Sequence, residues 1–547
     1  MTGVEEQMRI AHAKINFING YPHSDVFGDR YFLEGRQGLA EREYVYLLNN
    51  EIFERFYQQK NFIIGEIGFG IGLNFLATMN LWMKTQPVDR TLIYISCEMH
   101  PLTPRDLNRA LSQWKKEIPC TEQLLNVYQT IVPGLNTFVF LEAKMILILL
   151  IGEASEELAL ADFKAHHWML DGFDPSKNPS AWTDSLIKQI SRLSHPEATL
   201  ATFSAAGFVR RSLQSHGWGI SRVKGFAQKR HRLIGCFKGI PTKTTLPPCL
   251  VIGSGIAGTS FAFFRSFLNQ ESLIVDGPWS TLASMVPYAY AHPAVHKAMS
   301  SFTLFGLRSH IMSGDFYRQL CKQQGLVFDT APSMNIADHR RALLFAELSR
   351  NPIYENIIHF NGSSITFPQG YSVNGPEILN ALSNQSSLRK IQLHDVNQFV
   401  KTWKSKHPEH LIVAANSFAF NQQHNKNCTM IRGQLSALNQ KGTISWLKGT
   451  HERHDFNPLP RKSLIHQHVD KTSHLSDFVG FRSIQRNYLP CFGYLEKNLM
   501  VSVYHGSRGF SSGLWCGLIL ALKSLDLFSY KNDSSCEVLP LNGQASH

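Results

Sequence analysis

The sequence contains no CxxC pair, and its nine cysteines lie far apart between Cys97 and Cys536. Zinc knuckles and small disulfide scaffolds depend on closely paired cysteines, so neither fits, and a reducing cytosol is the expected compartment. No apolar run approaches the roughly 18 residues of a membrane span. The longest, Met145–Ile151 (MILILLI), has the length and composition of a strand buried in a parallel sheet. The first residues, MTGVEEQMRIAHAKINF, carry two acids and no apolar stretch, so they do not read as a secretory leader. Internal repeats and low-complexity tracts are also missing. With 43% apolar and 18% charged residues, the composition excludes a disordered tail or a fibre. One segment lacks acids altogether: residues 201–240 hold Arg210, Arg211, Arg222, Lys224, Lys229, Arg230, Arg232 and Lys238 without a single Asp or Glu. The whole chain carries a formal charge of +12, divided as +2 over residues 1–240 and +10 over the remainder. Such an excess favours a polyanionic partner, nucleic acid first.

A length of 547 residues implies more than one folding unit. The Pro- and Thr-rich stretch GIPTKTTLPPC has no periodicity and is followed by the apolar burst LVIGSGIAG, a linker and then a new first strand. The expected domains are therefore 1–240 and 249–547, joined by a linker at 241–248. In the first domain, apolar runs alternate with helical stretches, the pattern of an α/β fold. Strands are expected at 62–67, 92–97, 144–151, 167–170 and 199–203, with a final pair near 219–224 and 232–237. The second domain opens with strand, glycine turn and helix, then passes into short strands and polar loops.

In FIIGEIGFGIGLNFL a strand meets a helix through Gly65, Gly68, Gly70 and Gly72, with Glu66 at the strand end. Glycines at such a turn let the backbone bend tightly and approach a ligand closely. The next strand ends in Glu98, where a carboxylate can accept both hydroxyl hydrogens of a ribose. A third ends in Gly152-Glu153 and a fourth in Asp171-Gly172-Phe173-Asp174. Four successive strands ending in Gly or carboxylate are the layout of a class I (Rossmann-like) S-adenosylmethionine methyltransferase. A second fingerprint, Gly253-x-Gly255-x-x-Gly258, joins a strand to the helical TSFAFFRSFL, and the following strand ends in Asp276. This is a dinucleotide-binding arrangement, with glycines and a helix N-terminus for pyrophosphate and an acid for ribose.

Several segments resemble the MnmC family of bifunctional tRNA wobble-uridine modification enzymes. They are FGDRYFLEG (27–35), GEIGFGIGLNF, LDGFDPSKNPSAW (170–182), TFSAAGFVRR (202–211) and KGFAQKRHRLIGCFKG (224–239). Glu66, at its strand end, is a candidate to hold S-adenosylmethionine; the resemblance implies that Gly68, Gly70 and Glu98 hold it, that Glu153 approaches its adenine, and that Asp171 lies beside the transferred methyl. In that position Asp171 could accept a proton or orient the acceptor amine. The second domain resembles the D-amino-acid-oxidase-like FAD-binding domain (α+β substrate part) of the same family. The carriers are GYSVNGPEILNAL, RGQLS, GFRSIQRNYLPCFG and HGSRGFSSG, which imply that Arg482, Gly506 and Gly509 lie near a flavin. It departs from the family where STLASMVPYAYAHP lacks the expected Gly and Asn, where Asn487 replaces an acid, and in its shorter length.

Arg210, Arg211, Lys224, Lys229 and Arg230 are the candidates for tRNA contact, since phosphates supply most non-specific affinity. The expected activity is a flavin-dependent oxidation followed by methylation of the wobble uridine side chain. A methyltransferase with an inactive flavoprotein-like domain and a non-enzymatic RNA-binding scaffold are the alternatives. The histidines His166, His167, His451, His454, His466 and His468 match no closed zinc spacing, so no metal is expected.

Overall fold

The computed structural model describes residues 10–48, 52–85, 89–239, 246–277, 283–293, 295–297, 300–330, 333–335, 339–350, 354, 356–386, 388–415, 429–440, 443–453, 474–484 and 489–531; in 333–335, 429–453 and 474–483 it describes the backbone alone. The chain forms two units, one of residues 1–245 with Lys523–Asn532, the other of residues 246–522 with the last residues. No helix among the described residues is long and apolar enough to cross a membrane.

The first unit begins with a small hairpin sheet of β1 (Ile15–Ile18), β2 (Tyr21–Ser24) and β3 (Asp29–Arg30), then α1 (Gln37–Arg42), a π-helical turn Glu43–Leu47 and α2 (Ile52–Arg55). Next come β4 (Asn61–Ile67), α3 (Leu73–Thr85), β5 (Thr91–Glu98), α4 (Pro104–Leu111), α5 (Thr121–Val127), β6 (Gly134–Phe140) and β7 (Met145–Ile151). After α6 (Ala154–Leu160) and β8 (Ala161–Asp162) follow β9 (Ala165–Leu170), α7 (Asp184–Arg192), β10 (Ser194–Thr202), α8 (Gly207–Ser215), β11 (Trp218–Lys224) and β12 (His231–Phe237).

Eight of these strands make one sheet in the order β11-β12-β10-β9-β4-β5-β7-β6. The run β10-β9-β4-β5-β7 is parallel, and β6 and β12 are antiparallel to their neighbours. Every residue of β7 is buried, as its unbroken apolar sequence requires. Helix starts follow local chemistry: Thr103 and Thr183 accept the backbone N–H three residues on, and Pro104 occupies the first turn of α4. The registers Ile67 with Cys97, Ile67 with Leu170 and Glu98 with Ile151 bring the carboxyl ends of β4, β5, β7 and β9 to one edge, where open α/β sheets place their ligands. The seven expected strands are all present; β6 and the N-terminal hairpin were not foreseen. Residues 523–532, assigned from sequence to the second domain, belong to the first unit, because Ser529–Tyr530 pairs antiparallel with β8.

The second unit opens with β13 (Cys249–Ile252), α9 (Ile256–Phe267) and β14 (Leu273–Asp276). Its six-stranded sheet runs Arg389–Gln392, β14, β13, Leu411–Ala414, Leu499–Val503 and Cys491–Glu496, parallel except for the last strand. Leu250, Val275, Val396, Ile412 and Leu499 form a buried cluster against it. Among the described residues, three smaller sheets accompany it. One of them pairs strands of 11 and 12 residues (Thr429–Gln440, Thr443–Arg453 and His474–Ile484), longer than the short strands expected there.

Candidate functional site

The edge formed by β4, β5, β7 and β9 borders a cavity of about 680 Å3 in the first unit. Gly68 and Gly70 at its wall have φ of 87° and 55°, in the left-handed region that glycine tolerates. A Cβ on Gly68 would lie 2.6 Å from the carbonyl oxygen of Asp171, so the turn leaves no room for a side chain. Glu98 closes over this turn. One of its carboxylate oxygens accepts the N–H of Gly70 and the other that of His100, both at 2.8 Å, and each oxygen keeps a lone pair for a further donor. Glu153 also lines the cavity while capping α6, accepting from Glu156 N–H at 2.9 Å and Ser155 Oγ at 2.6 Å.

Asp171 stands at the end of β9 within a dense set of donors. Arg42 Nη1 lies 2.6 and 2.5 Å from its two oxygens, Tyr46 Oη 2.7 Å away and Asn74 Nδ2 2.9 Å away. Burial pushes this carboxyl up from the ordinary Asp range, and Arg42 and Tyr46 pull it back down. Glu66 departs from expectation. It is 1% exposed and does not line the cavity, but accepts from Asn74 Nδ2 at 2.9 Å and Ser96 Oγ at 2.7 Å beneath it. Its link to the cavity therefore runs through Asn74 to Asp171. Opposite these acids stands an aromatic wall: Phe173 lies 4.8 Å from Phe27 and 5.3 Å from Tyr31, centroid to centroid. Arg42 and Tyr46 lie outside every motif of the sequence, and Asn74 lies within the glycine motif GEIGFGIGLNF.

The glycine cradle and the acids Glu98 and Glu153 fit a nucleoside cofactor with a cationic donor centre, S-adenosylmethionine. The basic candidates divide. Arg211, Lys224, Lys229 and Arg230 are exposed, and Arg210 is half-buried on α8. Lys229 reaches the cavity, its Nζ 4.1 Å above the Phe203 ring and 3.6 Å from Glu41. Arg232, counted in the acid-free segment, is buried at 2% exposure, with its Nη1 donating to the Val45 carbonyl at 3.1 Å; it belongs to the core.

In the second unit the fingerprint glycines take their expected places. Gly253 has φ of 106°, and a Cβ on Gly258 would lie 2.0 Å from the Gly253 carbonyl oxygen, which fixes α9 against β13. Asp276 ends β14 and accepts from Ser254 N–H at 3.0 Å, from the Ser254 hydroxyl, and from Gly277 N–H at 2.9 Å. Ser284 Oγ accepts the N–H of Ile256 at the start of α9, at 3.0 Å. Gly506 abuts Ile484, and the helix beginning at Gly509 passes Ile256, so the returning loop meets the fingerprint. A glycine turn opening a helix and a carboxylate closing the next strand are what could hold a dinucleotide here. The Arg482 side chain, Asn487 and residues 280–282 of the altered loop lie outside the described residues, as do the side chains of His451, His454, His466 and His468.

His166 and His167 are core residues of β9. Burial pushes both down to about 3, and His166 Nδ1 accepts the N–H of Ile63 at 3.0 Å. Among the described residues, His407, Glu409 and His410 bring possible ligand atoms within 4.8 Å of one another. The two rings stack 4.5 Å apart at 9°, so their in-plane nitrogens run parallel instead of converging on an ion.

A family model for S-adenosyl-L-methionine-dependent methyltransferases matches residues 115–238. The tRNA 5-methylaminomethyl-2-thiouridine biosynthesis bifunctional protein MnmC of Pseudomonas syringae pv. syringae is 30% identical, over 93% of this chain and 93% of its own length. The chain belongs to the MnmC family. The MnmC protein of Ectopseudomonas mendocina is 42% identical over 45% of this chain, and there the match spans 39% of the relative's length. Among solved structures, glycine oxidase from Geobacillus kaustophilus is similar at a TM-score of 0.44 and 11% identity, over 54% of this chain and 99% of that one.

Proposed function

We propose that this MnmC-family chain modifies the wobble uridine of tRNA in two steps. The second unit removes the carboxymethyl group from 5-carboxymethylaminomethyl-(2-thio)uridine, and the first unit N-methylates the resulting 5-aminomethyl-(2-thio)uridine. The observation that carries the reading is the cavity at the β4, β5, β7 and β9 edge, where a glycine turn, two acids and the buried carboxylate of Asp171 meet beside aromatic rings. When bound, S-adenosylmethionine supplies an electrophilic methyl and FAD a two-electron acceptor.

The chain's own residues do the rest. Glu98 and the Gly68–Gly70 turn hold the nucleoside end of the cofactor. Phe173 and its neighbours offer flat apolar surface to a base. Asp171 fixes the acceptor amine in line with the methyl, stabilises the positive charge that develops on nitrogen as the N–C bond forms and the S–C bond breaks, and accepts the proton the methylated amine then loses. Lys229 at the cavity and the exposed Arg211, Lys224 and Arg230 supply phosphate contacts. Gly253, Gly255, Gly258 and Asp276 hold FAD, with Gly506, Gly509 and Arg482 on the returning segments. The cytoplasm, where tRNA is found, is the corresponding compartment.

A second reading, methyltransferase activity alone, is favoured by the segment STLASMVPYAYAHP (280–293), which contains neither the Gly nor the Asn expected of a flavin loop. Nucleoside analysis of tRNA from cells lacking the protein separates the two. Accumulated carboxymethylaminomethyl-uridine is expected from the two-step enzyme; accumulated aminomethyl-uridine means methylation alone, and no change in the wobble nucleosides rejects both.

A further inference from the structure

Arg42 belongs to none of the motifs read from the sequence, yet its guanidinium joins two elements of the cavity. The side chain is 9% exposed. Nη1 contacts both oxygens of Asp171, and Nη2 donates to the backbone carbonyl of Tyr31 at 2.7 Å. Tyr31 follows β3 and lines the cavity, and its ring lies 3.3 Å from where a Cβ on Gly70 would be. We propose that Arg42 is a positioning residue for methyl transfer, holding Asp171 as an anion toward the acceptor amine and tying the Tyr31 segment to the cavity wall. This rests on the methyltransferase reading of the first unit.

Charge and burial carry the argument. The groups facing Asp171 are Arg42 and Glu41 from α1, Tyr46 from the π-helical turn, Glu66 from β4, Asn74 from α3 and Tyr94 from β5. Arg42 is the cation among them. A carboxylate left in this setting without it is a buried unpaired charge, which takes up a proton in preference to staying ionised. Protonated Asp171 can no longer accept a hydrogen bond from the amine on the oxygen carrying the proton, nor stabilise positive charge on the nitrogen. Tyr46 and Asn74 are neutral donors that orient the carboxylate but do not neutralise it. The planar fork also explains Arg at this place, since one guanidinium spans a side chain and a carbonyl that a single ammonium would not serve together.

The test is single-turnover methyl transfer by the intact chain to tRNA carrying aminomethyl-uridine, from pH 6 to 9 at saturating S-adenosylmethionine. Thermal melts and calorimetric binding of S-adenosylmethionine accompany it. For Arg42→Met, the rate at pH 7 is expected to fall more than tenfold. The ratio of variant to wild-type rate should climb with pH as Asp171 regains its charge, while the titration of the amine cancels in the ratio. For Arg42→Lys, which keeps the charge, the ratio should be flat with pH and closer to one. A flat ratio in folded Arg42→Met overturns the proposal. Should that variant not fold, a ratio for Arg42→Lys that climbs with pH overturns it instead. A wild-type chain that neither binds S-adenosylmethionine nor transfers methyl defeats the methyltransferase reading itself, an outcome distinct from a failure of Arg42 alone.

Discussion

Burial strips Glu66 of most of its hydration, and the hydrogen bonds from Asn74 and Ser96 return only part of it, so its carboxyl is pushed up to about 8. Between the ordinary carboxyl value of 4.5 and about 8, the native state holds a proton that the unfolded chain has released. Glu66 therefore lowers stability progressively as pH rises through that window, by an amount on the order of a few kcal/mol once above it. Glu66→Gln keeps the shape without the charge. Its melting temperature is expected to gain on the wild type as pH goes from 5 to 8 and then run parallel; a gap independent of pH would mean that Glu66 is not protonated in the fold. Asp171→Ala is expected to abolish methyl transfer while leaving removal of the carboxymethyl group intact, checked by the nucleosides formed from each substrate. Gly68, Gly70, Glu98 and Asp171 were legible in the sequence because each lies at or just beyond the carboxyl end of a strand, on one sheet edge. Arg42 and Tyr46 were not, since they reach Asp171 from more than 120 positions away and no local spacing encodes that meeting. Glu66 was misread for a related reason: strand side chains alternate, and a residue one place before the strand end points into the sheet's covered face.

Strands followed from periodicity where their apolar faces are unbroken, as in β4, β5 and β7. β6 escaped notice because GLNTFVF begins at a glycine and places Asn and Thr in its middle, although all seven residues are buried. Asn136 is satisfied there by its own turn, accepting from Val132 N–H at 2.9 Å and donating to the Val132 carbonyl at 2.7 Å. The hairpin β1–β3 carries no such signal, since its strands are two to four residues long, none is apolar throughout, and β1 and β2 precede the segment 27–35 that carries the family resemblance. In the second unit the strand, turn and helix of the fingerprint were clear because Gly258 allows α9 to lie on β13. Gly258→Ala would drive a Cβ into the Gly253 carbonyl, backbone against backbone, so α9 must shift. A loss on the order of 3 kcal/mol is expected from such overpacking. Denaturant melts measure it, and visible absorption after FAD addition should show no bound flavin in the variant.

The division into two units was read near residues 241–248 from composition, and the structure divides the chain at 245 and 246. Composition could not reveal the return of residues 523–532, because that return rests on tertiary contacts. Ser529 and Tyr530 pair with Asp162 and Ala161, Lys531 N–H donates to the Leu160 carbonyl at 2.8 Å, and Tyr530 Oη reaches Glu157 on α6, the helix capped by Glu153. A chain ending at Leu522 is therefore expected to melt several degrees lower in its methyltransferase unit and to bind S-adenosylmethionine more weakly, as scanning calorimetry and titration would show. Equal melting and affinity would make the added strand dispensable. The charge excess gains a location at this level as well: the exposed bases of α8 and the β11–β12 hairpin occupy the unit that holds the cavity, whereas most of the +10 lies in the other.

That returning strand also imposes an order in time. Roughly 280 residues separate the point where the chain leaves the first unit from the point where it comes back. At ribosomal speeds their synthesis takes roughly 15 s to a minute. Throughout that interval the nascent first unit carries β8 as an open edge, a template for unwanted pairing. A message cut short anywhere between the codons for residues 246 and 528 yields a methyltransferase with that edge still bare, so the first unit is completed only after nearly all of the second has been made.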